Sequence, residues 1–158
     1  MTELTYALIG AGPMGLATAR QLQKYGIVFE GFELHSDIGG LWDITNPHST
    51  MYESAHLISS KHMTEFTEFP MAAEVATYPK HSDICQYFQD YAHEFELKRY
   101  FSFGCKVTAM TPLDNGQWQL NWTKGGQSHS KTFAGVLLAN GNLHKPNIPT
   151  IPGDFSGE

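Results

Sequence analysis

The sequence predicts an α/β fold: a parallel sheet with a crossover helix, carrying a small antiparallel three-stranded meander. Three observations predict it. A short apolar run, "YALI" at 6–9, is followed by a glycine-rich turn and then by apolar residues at helical spacing. A second apolar run, "IVFEGFE" at 27–33, follows that helix. Farther along, alternating segments are separated by "DNG" and "KGGQS", which signal hairpins and not crossovers.

Each element has its own justification. Tyr6 to Ile9 is short and apolar, as a buried parallel strand should be. From Met14 the period changes: Leu16, Ala19 and Leu22 recur at helical spacing, and Gly26 stands where a helix can end. Residues 27–33 form the second strand, reached by a right-handed crossover. Residues 42–80 contain Pro47, Pro70, Pro79 and scattered aromatics. They predict a long irregular excursion, with a short helix near Ser60 to Phe66. Over 81–97, Ile84, Tyr87, Phe88, Tyr91, Ala92 and Phe95 mark one apolar helical face. Either Ser82 caps that helix, or Asp83 and Gln86 form a capping box. Phe103, Cys105, Val107 and Ala109 alternate as a strand does, and so do Trp118, Leu120 and Trp122. "KTFAGVLLANG" at 131–141 is a strand pair or one long strand, and the Pro-rich tail is extended.

Bulk properties narrow the function. A chain of 158 residues is one domain with a real core. Its net charge of −6 argues against nucleic acid or an anionic membrane as partner, since both need clustered Lys and Arg. No apolar run reaches bilayer length, and the start lacks the basic region of a signal peptide, so the expected location is cytoplasmic. Cys85 and Cys105 are in no CxxC spacing, which argues against a disulfide framework or dithiol centre. The histidines form no HxxxH pair or Cys/His cluster, so no metal site is expected; His56 and His62 are the two that flank the most irregular loop.

"GAGPMG" places Gly10, Gly12 and Gly15 in G-x-G-x-x-G spacing between a strand and a helix. Gly10 permits the tight turn, Gly12 lets backbone approach a pyrophosphate, and Gly15 lets helix and strand pack closely. The helix amino terminus offers free N–H groups and a positive dipole end. Glu33 closes the second strand, where a carboxylate can accept both ribose hydroxyls of an adenosine and repel a 2′-phosphate. A Rossmann-like dinucleotide-binding unit follows, for NAD or FAD. The second glycine pair, Gly39 and Gly40, with Trp42 behind it, favours the longer FAD, whose body runs on past the pyrophosphate.

"GAGPMGL", Glu33, "GGLW" and "LLANGNLHKPNIPTIPG" together resemble the amino-terminal part of flavin-containing monooxygenases, close to the Baeyer–Villiger type. The intervening "YESAHLISSKHMTEFTEFP" and "YPKHSDICQYFQDYA" follow that family's order. The resemblance implies a flavoprotein of the two-dinucleotide-binding-domain type, with FAD bound here and NADPH bound by a domain that follows. It implies that residues 1–158 are the amino-terminal part of the FAD-binding domain, a fragment of a longer enzyme, with a family signature beginning at Phe155 and Gly157. The implied reaction passes one oxygen of O2, through a flavin C4a-hydroperoxide, to a soft nitrogen, sulfur or carbonyl of a small-molecule substrate. Carried over by position, Gly10, Gly12, Pro13, Met14, Gly15, Glu33, Gly40, Leu41, Trp42, Val107, Asn140 and Gly141 contact FAD, Val107 through its backbone. Lys61 matches the Lys of the family's N-x-x-K segment. Ile58 replaces its Asn, which leaves Ser59 and Lys61 as catalytic candidates. An FAD-dependent reductase or oxidase, or a nucleotide-binding module without catalysis, are the alternatives. For residues 1–158 alone, nucleotide binding without turnover is expected.

Overall fold

The computed structural model describes residues 4–143, 146–154, 156 and 157. Four parallel strands form one sheet in the order β3-β2-β1-β7. They are β1 (Tyr6–Ile9), β2 (Phe29–Phe32), β3 (Phe101–Ser102) and β7 (Gly135–Leu138). β4 (Cys105–Pro112), β5 (Trp118–Lys124) and β6 (Gln127–Phe133) form the antiparallel meander, which lies in the chain between β3 and β7. The predicted architecture is the observed one.

Helix α1 (Pro13–Lys24) buries Gly15, Leu16, Ala19 and Leu22. It starts one residue before the predicted Met14, with Pro13 at a position where a missing N–H costs nothing. Helix α3 (His81–Glu94) buries Ile84, Tyr87, Phe88, Tyr91 and Ala92. Its cap differs from both expectations. Lys80 is the N-cap, because His56 pairs with it as an isolated bridge and holds it extended. Asp83 then serves as the third helical residue and accepts the Lys80 N–H at 3.3 Å.

The irregular excursion holds only one helical turn, α2 (Lys61–Thr64), shorter than the predicted stretch. Its order comes from aromatic packing and from hydroxyls aimed at backbone. The Tyr87 hydroxyl donates to the Phe69 carbonyl at 2.7 Å and accepts the Phe66 N–H at 2.6 Å. The Tyr91 hydroxyl meets Glu68 at 3.1 Å, and Arg20 grips the same carboxylate with two bonds. Helix α3 is therefore both core and anchor for the loop.

Two strand expectations are refined. The run from Phe103 to Ala109 breaks at Gly104, whose φ of +66° lets the chain leave the parallel sheet after β3 and enter the meander. The run 131–141 is two strands in different sheets, separated at Ala134, whose N–H donates to the Thr5 carbonyl at 2.8 Å. Among the described residues no helix is long and apolar enough to cross a membrane.

Candidate functional site

The carboxyl ends of β2, β1 and β7 lie side by side because the strands are parallel and in register. β1 runs into the first glycine turn, β2 into Glu33, and β7 toward Asn140 and Gly141. Strand order reverses at β1, with β2 on one side and β7 on the other. Open α/β sheets bind ligands in the crevice outside such a reversal.

The first turn is made of backbone packed on backbone. Gly10 has φ +101°, and a Cβ there would stand 2.4 Å from the Ala139 carbonyl oxygen. A Cβ on Gly15 would stand 1.9 Å from the Gly10 carbonyl oxygen. α1 has no side-chain cap. The Leu16 N–H bonds the Gly12 carbonyl at 2.9 Å, so the N–H groups of Met14 and Gly15 precede the helical ladder, and Pro13 has none. Those donors, with the helix dipole, suit a diphosphate. The Met14 side chain is exposed.

Glu33 is buried, and both of its oxygens hold backbone. Oε2 accepts the Ala11 N–H at 2.5 Å and Oε1 accepts the His35 N–H at 2.7 Å. Each carboxylate oxygen keeps a further lone pair, so two outside donors such as a ribose diol can still be accepted.

The second glycine pair folds onto the first. Gly39 and Gly40 have φ of +120° and +59°, and the Gly39 N–H donates to the Ala11 carbonyl at 3.2 Å. A Cβ on Gly40 would lie 2.9 Å from the Gly12 Cα. The immediate neighbour of this turn is thus the other turn, a role that spacing alone did not reveal. Leu41 and Trp42 are half-buried, and Trp42 packs against the main core.

Sequence reasoning missed the side chains that hold this second turn. Asn46, buried, donates from Nδ2 to the Gly40 carbonyl at 3.3 Å, and the Ser49 hydroxyl donates to the Leu41 carbonyl. Asp43 accepts the Thr45 N–H at 2.9 Å and its hydroxyl at 2.7 Å, and pairs with His35 at 3.1 Å. Burial, the largest single influence on Asp43, works to raise its carboxyl. The Thr45 bonds and then His35 outweigh it and hold the group below the ordinary carboxylate value. The available signal was the "DITN" stretch directly after Trp42, whose Asp and Asn readily form local turns.

Cys85 lies against the same turn, its Sγ 3.3 Å from where a Cβ on Gly39 would stand. Burial, and then the carboxylates of Asp43 and Asp37, push this thiol up to about 11. Only roughly one thiol in ten thousand is then ionised at neutral pH. Iodoacetamide is expected to label folded Cys85 slowly at neutral pH and faster as pH rises toward 11, followed by mass spectrometry. Rapid stoichiometric labelling of the folded chain at neutral pH would contradict this environment.

The catalytic candidates lie elsewhere in the chain. Lys61 is buried, and its Nζ donates to the carbonyls of Ala72, Ala73 and Val75 at 2.9, 3.1 and 2.7 Å. All three of its protons are thereby engaged, which makes Lys61 a clamp on the excursion. The Ser59 hydroxyl meets that of Thr64 at 3.0 Å. Ile58 is 99% exposed, an aliphatic side chain with almost no cover. His62 pairs with Glu65 and His56 with the Ser54 carbonyl. Among the described residues no group of three His, Cys, Asp or Glu side chains is placed to hold a metal ion. Val107 stands in β4 beside a bulge between Val107 and Ala109, where the ladder with β5 is interrupted. Asn140 is exposed and donates to the Gly141 carbonyl at 3.1 Å. Phe155, where the family signature was expected to begin, lies outside the described residues.

Residues 4–157 match the family described as FMO-like, flavin-binding monooxygenase-like. Flavin-containing monooxygenase FMO GS-OX3 of Arabidopsis thaliana is 31% identical over 97% of this chain and 38% of its own length. Flavin-containing monooxygenase 1 of Rattus norvegicus is 32% identical over 96% and 31%. Among solved structures, S-allyl-L-cysteine S-oxygenase from Allium sativum superposes with a TM-score of 0.86 at 27% identity, covering 95% of this chain and 39% of that one. An open structure of cyclohexanone monooxygenase, at 26% identity, gives 0.78 over 95% and 29%. The chain therefore spans less than two fifths of the length of these relatives. The fold is that of flavoprotein monooxygenases with two dinucleotide-binding domains, and Baeyer–Villiger enzymes stand among its structural neighbours. The convergence of two glycine turns and a carboxylate at one strand-end crevice, the match along nearly the whole chain, and the shared fold lead to one conclusion: this chain belongs to the flavin-binding monooxygenase-like family.

Proposed function

We propose that residues 1–158 are the FAD-binding part of an NADPH-dependent monooxygenase that transfers one oxygen atom of O2 to a soft nitrogen, sulfur or carbonyl of a small molecule. The observation that carries this reading is the contact between the two glycine turns beside Glu33. It brings two turns lacking side chains against each other at the strand ends, where a Cβ on Gly40 would intrude on Gly12, and a dinucleotide can use both turns. The residues present fit an FAD. Glu33 would accept the adenosine ribose hydroxyls, the Met14 and Gly15 N–H groups would hold the pyrophosphate, and Gly40, Leu41 and Trp42 would flank the portion beyond it. Asn140 and Gly141 would close the crevice from the β7 side, and the backbone near the Val107 bulge would meet the adenine. When bound, the flavin supplies the redox chemistry and oxygen activation, while the protein supplies orientation and electrostatics. NADPH would be held by segments outside these residues, so this part alone binds nucleotide without turnover. With Lys61 engaged by three carbonyls, Ser59 is the better placed of the two catalytic candidates to exchange a proton.

The test is a titration of the purified chain with FAD and with NAD, read by flavin fluorescence and calorimetry. FAD binding is expected, and Glu33→Ala should weaken it about a hundredfold, the loss of two hydrogen bonds to a charged acceptor. A chain that takes up NAD and leaves FAD free would overturn the assignment. Anaerobic bleaching of bound flavin by NADPH would contradict the placement of the nicotinamide site.

A further inference from the structure

The side chains of His35 and Asp43 contact no part of the proposed cofactor path, yet their pairing joins the carboxyl end of β2 to the second glycine turn. The Ala11 N–H bonds Glu33 Oε2, and Glu33 Oε1 holds the His35 N–H. The His35 ring reaches from the end of β2 to Asp43 Oδ2 at 3.1 Å, with the two side chains only 12% and 13% exposed. Asp43 directly follows the Gly40–Trp42 turn, and its other oxygen is held by Thr45. From that turn the Gly39 N–H returns to the Ala11 carbonyl. Four hydrogen bonds, completed by the chain itself from Gly39 to Asp43, form a closed circuit: Ala11 to Glu33, Glu33 to His35, His35 to Asp43, and Gly39 back to Ala11.

A circuit of this kind has a mechanical consequence. Gly39 and Gly40 are the most deformable residues of the loop, since glycine gives up more conformational freedom on ordering than any other residue. The direct restraint on their distance from the first turn is one 3.2 Å backbone bond. Asn46 and Ser49 hold the turn to its own loop, whereas the largely buried His35–Asp43 contact ties it to the end of β2. Its geometry is fixed because Thr45 orients the carboxylate and the His35 main chain is pinned by Glu33.

We propose that His35 and Asp43 are positioning residues: their side-chain contact holds the second glycine turn against the first and so presets the cofactor crevice. The proposal rests on the FAD reading only for what the crevice holds; the clamp itself is a property of this chain. The test is amide hydrogen exchange of Gly39 and Ala11 in the chain without nucleotide, compared with α3 amides such as those of Phe88 and Tyr91. Asp43→Ala and His35→Ala should each speed exchange at Gly39 and Ala11 about tenfold, with the α3 amides unchanged. Asp43→Asn and His35→Gln, which keep an acceptor and a donor, should restore most of the protection. An FAD titration of the same proteins should show the alanine variants binding about tenfold more weakly and the conservative ones near wild type. Unchanged Gly39 protection in Asp43→Ala overturns the clamp, and so does a failure of Asp43→Asn to restore it. If Asp43→Ala unfolds, His35→Ala decides by the same readout, unchanged Gly39 protection overturning the clamp. If wild type ignores FAD, the functional reading fails, and the exchange result judges the clamp separately.

Discussion

Gly15→Ala is expected to abolish flavin binding and to destabilise the chain by about 3 kcal/mol or more, the range of overpacking in a site that cannot relax. The added methyl would sit 1.9 Å from the Gly10 carbonyl oxygen and 2.8 Å from its carbon, both backbone atoms. Relief requires moving either α1 or the turn after β1. The turn cannot retreat, because a Cβ on Gly10 would already meet the Ala139 carbonyl at 2.4 Å, so there is no slack on that side. Gly26→Ala is the matched control. Nothing lies within 4 Å of a Cβ there, and the only penalty is its φ of +65°, about 1 kcal/mol. Urea unfolding of both variants and an FAD titration measure the contrast. If Gly15→Ala loses no more stability than Gly26→Ala, close backbone packing is not what selects glycine in the first turn.

The second large effect concerns Lys61→Met, expected to lower stability by about 2–4 kcal/mol at nearly constant side-chain volume. Removing the ammonium leaves the carbonyls of Ala72, Ala73 and Val75 without their donor. Part of that loss is offset because a buried charge no longer has to be desolvated. The consequence should be local first: limited proteolysis should find new cleavage within 66–77 before the sheet unfolds. Lys61→Arg should restore only part of the stability, since a planar guanidinium cannot reproduce three converging bonds from one nitrogen. A Lys61→Met protein with wild-type unfolding and wild-type proteolysis would remove the clamp role and return Lys61 to the catalytic candidates.

Legibility in the sequence followed the range of the forces involved. The first strand, α1, the buried face of α3 and the meander were all readable, because each is written by periodicity and local turn chemistry over a dozen residues or fewer. The G-x-G-x-x-G spacing and Glu33 were readable for the same reason: a strand, a turn and a helix place them without help from distant chain. Less was visible where one backbone group must choose between distant partners. Gly104 and Ala134 divert the chain between two sheets, and the deciding bonds, such as Ala134 N–H to Thr5, span most of the sequence. The excursion over 42–80 has no period at all. Its order depends on Tyr87, Tyr91, Arg20 and Lys61 reaching it from elsewhere or across it.

By itself, then, the sequence determined an α/β unit with a G-x-G-x-x-G turn, a carboxylate at the end of its second strand and a second glycine pair, together with the family those residues resemble. Only the tertiary structure decided what the second pair is pressed against, which residues restrain it, and that Lys61 is spent on carbonyls. The physical reason is that local pattern sets which conformations a segment can adopt, whereas a close backbone-to-backbone approach or a set of hydrogen bonds between separate turns exists only once those segments have been brought together.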